Sequence, residues 1–144
     1  MSEKIIPGLN QLLSDYMVFY QKLRNYHWNV QGPLFFGLHQ VFEEQYLGSA
    51  EKVDEIAERV RSLGGKPAST LREYLEHARL TEDDGNPSAN QMVERIVTDL
   101  SALTGNIREL VKEVDGDVAT VNLLEGFADE QEKTAWMLKA FLQS

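Results

Sequence analysis

Three histidines, His27, His39 and His77, and no cysteine occur in this chain. A metal centre here must therefore be built from imidazole and carboxylate groups. Glu43 follows His39 by four residues, and Asp54 precedes Glu58 by four, so each pair shares one helical face. Such a mixed nitrogen and oxygen set suits first-row metals such as iron or zinc. Either pair alone also occurs on ordinary charged helices, where the commoner role is a solvated, salt-bridged surface. Both readings stay open on spacing alone.

Distance narrows the metal reading. His39 and Asp54 are fifteen residues apart on one predicted helix, roughly 22 Å at about 1.5 Å per residue. One ion cannot touch both. Either the clusters are unrelated, or they meet between two chains across a two-fold axis, giving two equivalent sites per dimer. A site inside a single bundle is disfavoured by a second count. Di-iron bundles carry Glu-x-x-His motifs facing inward, but Arg24, Phe36 and Tyr74 stand three residues before the histidines.

The elements that must position these residues read as four long helices. The first, from about Leu9 to Val30, carries Leu9, Leu12, Leu13, Tyr16, Phe19, Leu23 and Tyr26 at spacings of three and four. Gln31-Gly32-Pro33 breaks it, and the second helix returns from about Leu34 to Leu63. Gly48 inside that helix marks a kink or a close approach. Gly64-Gly65 ends it and Pro67 blocks continuation. In the long connection that follows, Thr70 and Glu73 have capping-box spacing, predicting a short helix from Leu71 to His77. The third helix starts at Ser88 and runs to about Val114. Asp117 caps the fourth, which runs to about Leu142. Short, long and short connections predict an all-α, ferritin-like four-helix bundle with one crossover, as a single domain over residues 1–144.

The totals agree. The chain is 42% hydrophobic, enough for a core, yet lacks an apolar run that could span a membrane. No signal peptide is read at the N-terminus, and a cytoplasmic location is expected. The net charge of −9 disfavours phosphate backbones and suits cation attraction or plain solubility.

The string Asn25-Tyr26-His27-Trp28-Asn29-Val30-Gln31-Gly32, followed by Phe35, His39, Phe42 and Glu43, closely resembles the Dps family (DNA-binding protein from starved cells). Asp54-Glu55-Ile56-Ala57-Glu58-Arg59 and Leu63-Gly64-Gly65 continue the match in order and spacing, and the likeness covers essentially the whole chain. The resemblance implies a hollow dodecamer that oxidises Fe(II), preferentially with hydrogen peroxide, and stores ferric mineral. It implies that His27 and His39 of one subunit face Asp54 and Glu58 of its two-fold partner, with Glu43 in or beside the centre. Iron is the implied metal; zinc or manganese also suits the ligands.

Further roles implied by the likeness each keep a plainer alternative. Trp28 is a redox-active neighbour of the centre or an aromatic plug at the helix end. Glu44 resembles a mineral-nucleating acid, although Gln40 is neutral where the family often has an acid. Asp117, Glu125 and Asp129 line an entry pore or form a solvated face. His77 is read as structural or solvent-exposed. DNA binding is not carried over: only Lys4 is basic before Pro7, and the last residues are not basic. A DNA-compacting shell, or a structural shell with little iron chemistry, is the alternative function.

Overall fold

The computed structural model describes residues 2–142. Five helices occur among them: α1 (Ser2–Asn29), α2 (Phe35–Ser62), α3 (Leu71–His77), α4 (Ala89–Glu113) and α5 (Val118–Leu142). α1 starts seven residues earlier than the periodicity suggested and contains Pro7. The missing N–H of Pro7 falls near the helix start, where few backbone bonds are lost. Ile5, fully buried, extends the apolar stripe into that first stretch.

That stripe continues through Leu9, Leu12, Tyr16, Phe19, Leu23 and Tyr26, each at most 2% exposed. Leu38, Phe42, Ile56 and Val60 from α2, Met92 to Leu110 from α4 and Leu124 to Leu138 from α5 supply the facing layers. Burying each such side chain contributes about 1.5–3 kcal/mol. Polar contacts tie the helices laterally. Lys22 of α1 meets Asp99 of α4 at 2.8 Å, and Lys52 of α2 meets Glu130 of α5 at 3.0 Å. α2 stays helical through Gly48, where a Cβ would lie 3.8 Å from the Lys52 Nζ, an ordinary contact.

Where a di-iron bundle would hold metal in its interior, this one holds a neutral relay. The Tyr16 hydroxyl donates to Gln131 Oε1, and Gln131 Nε2 donates to Thr104 Oγ1 at 3.0 Å. Burial pushes the Tyr16 phenol far above its usual range, so it remains a donor.

α2 ends in a full Schellman arrangement. Gly64 takes φ +90°, its N–H reaches the Arg61 carbonyl, and the Gly65 N–H reaches that of Val60 at 2.9 Å. The crossover then runs along α1, which anchors it at three levels. Asn10 Nδ2 donates to the Lys66 carbonyl, and Asn10 Oδ1 accepts from Ala68 N–H. Asp15, fully buried, accepts from the Arg79 and Leu80 N–H groups and pairs with the Arg79 guanidinium at 2.7 Å. Asn25 and Tyr26 bind Asp83. Asn10 to Asn25 spans roughly 22 Å of helix, so α4 begins at the end of the bundle where α2 also begins. The two hairpins are thus joined by one full-length crossover. Capping boxes at Thr70/Glu73 and Ser88/Gln91 start α3 and α4 as their spacing predicts.

Candidate metal centre

The turn after α1 is closed by Gly32 (φ +107°), whose carbonyl accepts from Phe35 N–H at 3.1 Å. This brings the last turn of α1 against the first turn of α2. There the His27 and His39 rings stack with centroids 3.7 Å apart and planes inclined by 13°. Their hydrogen bonds are reciprocal. His27 Nδ1 lies 2.7 Å from the His39 carbonyl oxygen, and His39 Nδ1 lies 2.7 Å from that of His27. A carbonyl oxygen only accepts, so the hydrogen sits on Nδ1 in both rings. In the neutral rings each Nε2 then keeps a bare lone pair. A carbonyl partner at the far nitrogen is the usual way a protein fixes the tautomer and direction of a metal-binding imidazole.

Aromatic rings hold the pair on both sides. Phe35 stacks on His39 at 4.8 Å, and the Tyr46 ring meets His27 edge-on at 5.3 Å. Tyr46 in turn meets Tyr20 at 5.7 Å. Glu43 places Oε1 3.6 Å from His27 Nε2, beyond a good hydrogen bond but within reach of a shared cation. His27 itself is buried.

Asp54 and Glu58 lie farther along α2, both exposed. Neither joins an ion pair among the described residues. Among those residues no three His, Asp or Glu side chains of the chain are arranged to hold a metal ion. The structure therefore gathers His27, His39 and Glu43 at one end and leaves Asp54 and Glu58 as a separate pair. Trp28 follows His27 in the last turn of α1. It is 57% exposed and packs under the Arg24 guanidinium at 4.8 Å. Glu44 is exposed and accepts from Gln40 Nε2 at 3.2 Å.

The suggested pore acids differ from one another. Glu125 and Asp129 are exposed on α5. Asp117 is instead committed to the helix start: it accepts from Thr120 N and Oγ1 and from Arg59 Nη2, the last at 2.9 Å. Burial pushes the Asp117 carboxyl up, but the Thr120 and Arg59 hydrogen bonds outweigh it and leave it below its ordinary value. His77 is exposed at the end of α3.

Residues 6–144 match the ferritin-like domain family. Over 99% of both chains, the sequence is 43% identical to DNA protection during starvation protein 2 of Bacillus anthracis. The chain belongs to the Dps family. The crystal structure of Dps from Staphylococcus aureus superposes with a TM-score of 0.96 at 35% identity, covering 99% of this chain and 97% of that one. A Vibrio cholerae Dps, described as a member of a broad superfamily of ferritin-like diiron-carboxylate proteins, gives 0.93 at 39% identity, covering 99% and 91%. This Dps thus has the ferritin-like bundle with one short extra helix, as the connection lengths predicted. No helix of its described residues is long and apolar enough to cross a membrane.

What sequence reading missed in this Dps are the braces around His27 and His39. Phe35 stands four residues before His39, a spacing that signals the stack. Tyr46 reads only as part of the apolar stripe. The histidine carbonyls carry no sequence signal.

Proposed function

We propose that this Dps oxidises Fe(II) with hydrogen peroxide and stores the ferric product inside a closed homo-oligomeric shell, twelve chains in the form its family implies. His27, His39 and Glu43 of one chain would bind iron together with Asp54 and Glu58 of a two-fold neighbour. The observation that carries this reading is the reciprocal locking of the two imidazoles through Nδ1, which leaves Nε2 of each neutral ring free to bind a metal, with that of His27 3.6 Å from the Glu43 carboxylate. Three donors are an incomplete set for iron, and the exposed Asp54 and Glu58 are the complementary set. With His39 and Asp54 at opposite reaches of α2, a second chain is required to unite them.

The ligand chemistry fits. Carboxylates favour Fe(III) over Fe(II) because the higher charge gains more from anionic oxygen. Two Fe(II) ions give one electron each to one hydrogen peroxide, whose O–O bond breaks. Two protons are taken up and two waters leave, without release of hydroxyl radical. The chain's net charge of −9 attracts the cation substrate. Protection of DNA then comes from removing iron and peroxide rather than from coating the duplex.

Mixed assembly tests the shared site. His27→Ala/His39→Ala and Asp54→Ala/Glu58→Ala are each expected to lose peroxide-dependent ferric absorbance while keeping the shell. Co-refolded in equal amounts, half of the dimers are mixed and each carries one intact site, restoring about one quarter of wild-type activity. No restoration, with mixed shells verified by mass spectrometry, would rule out the inter-subunit centre. Iron that precipitates equally with every protein would favour a structural shell.

A further inference from the structure

We propose that Asp83, in the crossover, is a positioning residue for the His27–His39 pair and acts through Tyr26. The inference rests on the reading of that pair as half of a metal site.

Asp83 is the point where three elements meet. Its Oδ2 accepts from the Tyr26 hydroxyl of α1 and from Arg95 Nη1 of α4 at 2.6 Å. Oδ1 accepts from Gly85 N–H at 2.9 Å, which fixes the carboxylate within its own turn. The Asp83 carbonyl accepts from Asn25 Nδ2, also at 2.9 Å. Asn25 and Tyr26 are the two residues immediately before His27.

The Tyr26 ring is fully buried and lies 5.8 Å from the ring of Phe42. Phe42 stands on α2 between His39 and Glu43. Tyr26 is therefore a wedge between the two helix ends that carry the imidazoles, and its depth is set by the hydroxyl bond to Asp83. The reciprocal bonds of the histidines tolerate little slack. At 2.7 Å they are near the short limit for N–H···O, and a shift of about 1 Å breaks them. A freed Nδ1 lets the ring turn, and its Nε2 loses its fixed direction.

A residue that merely stabilised the fold would behave like Asn10, which anchors the same crossover at Lys66 and Ala68, far along α1. That difference supplies the test. Co(II) alone is titrated into the assembled wild type, Asp83→Ala, Tyr26→Phe and Asn10→Ala, following its visible absorbance, with thermal unfolding measured in parallel. Asp83→Ala and Tyr26→Phe are expected to bind Co(II) about tenfold more weakly, the range for outer partners of metal ligands. Asn10→Ala is expected to unfold at lower temperature with unchanged Co(II) affinity. Tyr26→Phe removes one oxygen and keeps the ring, so it remains informative if Asp83→Ala does not assemble. Wild-type affinity in both Asp83→Ala and Tyr26→Phe would overturn the proposal, as would an equal loss in Asn10→Ala. Wild-type Co(II) binding that is insensitive to His27→Ala would instead overturn the metal-site reading, and the positioning role with it.

Discussion

Nδ1 of His27 and Nδ1 of His39 each donate to the main-chain carbonyl of the other residue at 2.7 Å, so each ring is oriented by the other residue's backbone. Each residue is both ligand candidate and outer partner. Replacement of either side chain leaves its carbonyl in place but removes the ring stacked on the other. His39→Ala is expected to weaken Zn(II) binding more than Glu43→Ala, because it removes a ring nitrogen and also the ring stacked on His27 at 3.7 Å, with isothermal titration as the check. Equal losses would show that the stacked His39 ring adds nothing to binding beyond a single donor.

Phe42 is fully buried against Tyr26 and sits between His39 and Glu43. Phe42→Ala removes a large core side chain and is expected to cost about 3–5 kcal/mol. Denaturant unfolding would register it. A loss below about 1 kcal/mol would mean that the helix ends collapse to fill the space.

Acid titration offers a test with a fixed sign. The Tyr26 hydrogen bond, with help from Gly85 and Arg95 and against desolvation, holds the Asp83 carboxyl below its ordinary value. The folded form thus binds this proton less readily than the unfolded chain. Its stabilisation is present above the unfolded value of about 3.9 and is lost as pH falls through the lower folded value. Melting temperature is expected to drop less steeply on acidification in Asp83→Ala than in wild type. Parallel curves would exclude this carboxylate as a contributor.

Two glycines, one within α2 and one at its end, should respond oppositely to alanine. Gly48 lies within α2 with only ordinary contacts around a Cβ, so Gly48→Ala is expected to stabilise by up to about 1 kcal/mol. Gly64 holds φ +90° in the helix stop, so Gly64→Ala is expected to destabilise by about 1 kcal/mol. Thermal unfolding of both variants would reveal a shared sign, which would contradict the backbone argument.

Electrophoretic mobility of linear DNA with this protein should remain unshifted at moderate salt without divalent cations, since the chain carries −9. A retarded band under those conditions would return the DNA-compacting reading to consideration.

Much of this was legible in the residues. The stripe on α1, the capping pairs Thr70/Glu73 and Ser88/Gln91, and the Gly64-Gly65 stop act locally, so spacing alone reports them. The separation of His39 from Asp54 could be read because a helix has a fixed rise. Other features depend on who meets whom after folding. Asp15, Lys22 and Asp83 look like ordinary charges of an acidic chain, and only packing shows them braced against Arg79, Asp99 and Tyr26. Asp117 read correctly as a cap, but its neutralisation by Arg59 depended on a contact fifty-eight residues away in sequence. The start of α1 was missed because Pro7 looks like a boundary until Ile5 is seen buried.

The three-level anchoring of the crossover also bears on the order in which the molecule is made. Asn10, Asp15, Asn25 and Tyr26 all precede the segment they grip, and α1 packs on α2 and α3 as well as on α4. As the polypeptide leaves the ribosome, its first hairpin and most of the strap can therefore close before α4 is synthesised. The nascent chain then meets its second hairpin as a docked surface rather than as a loose coil.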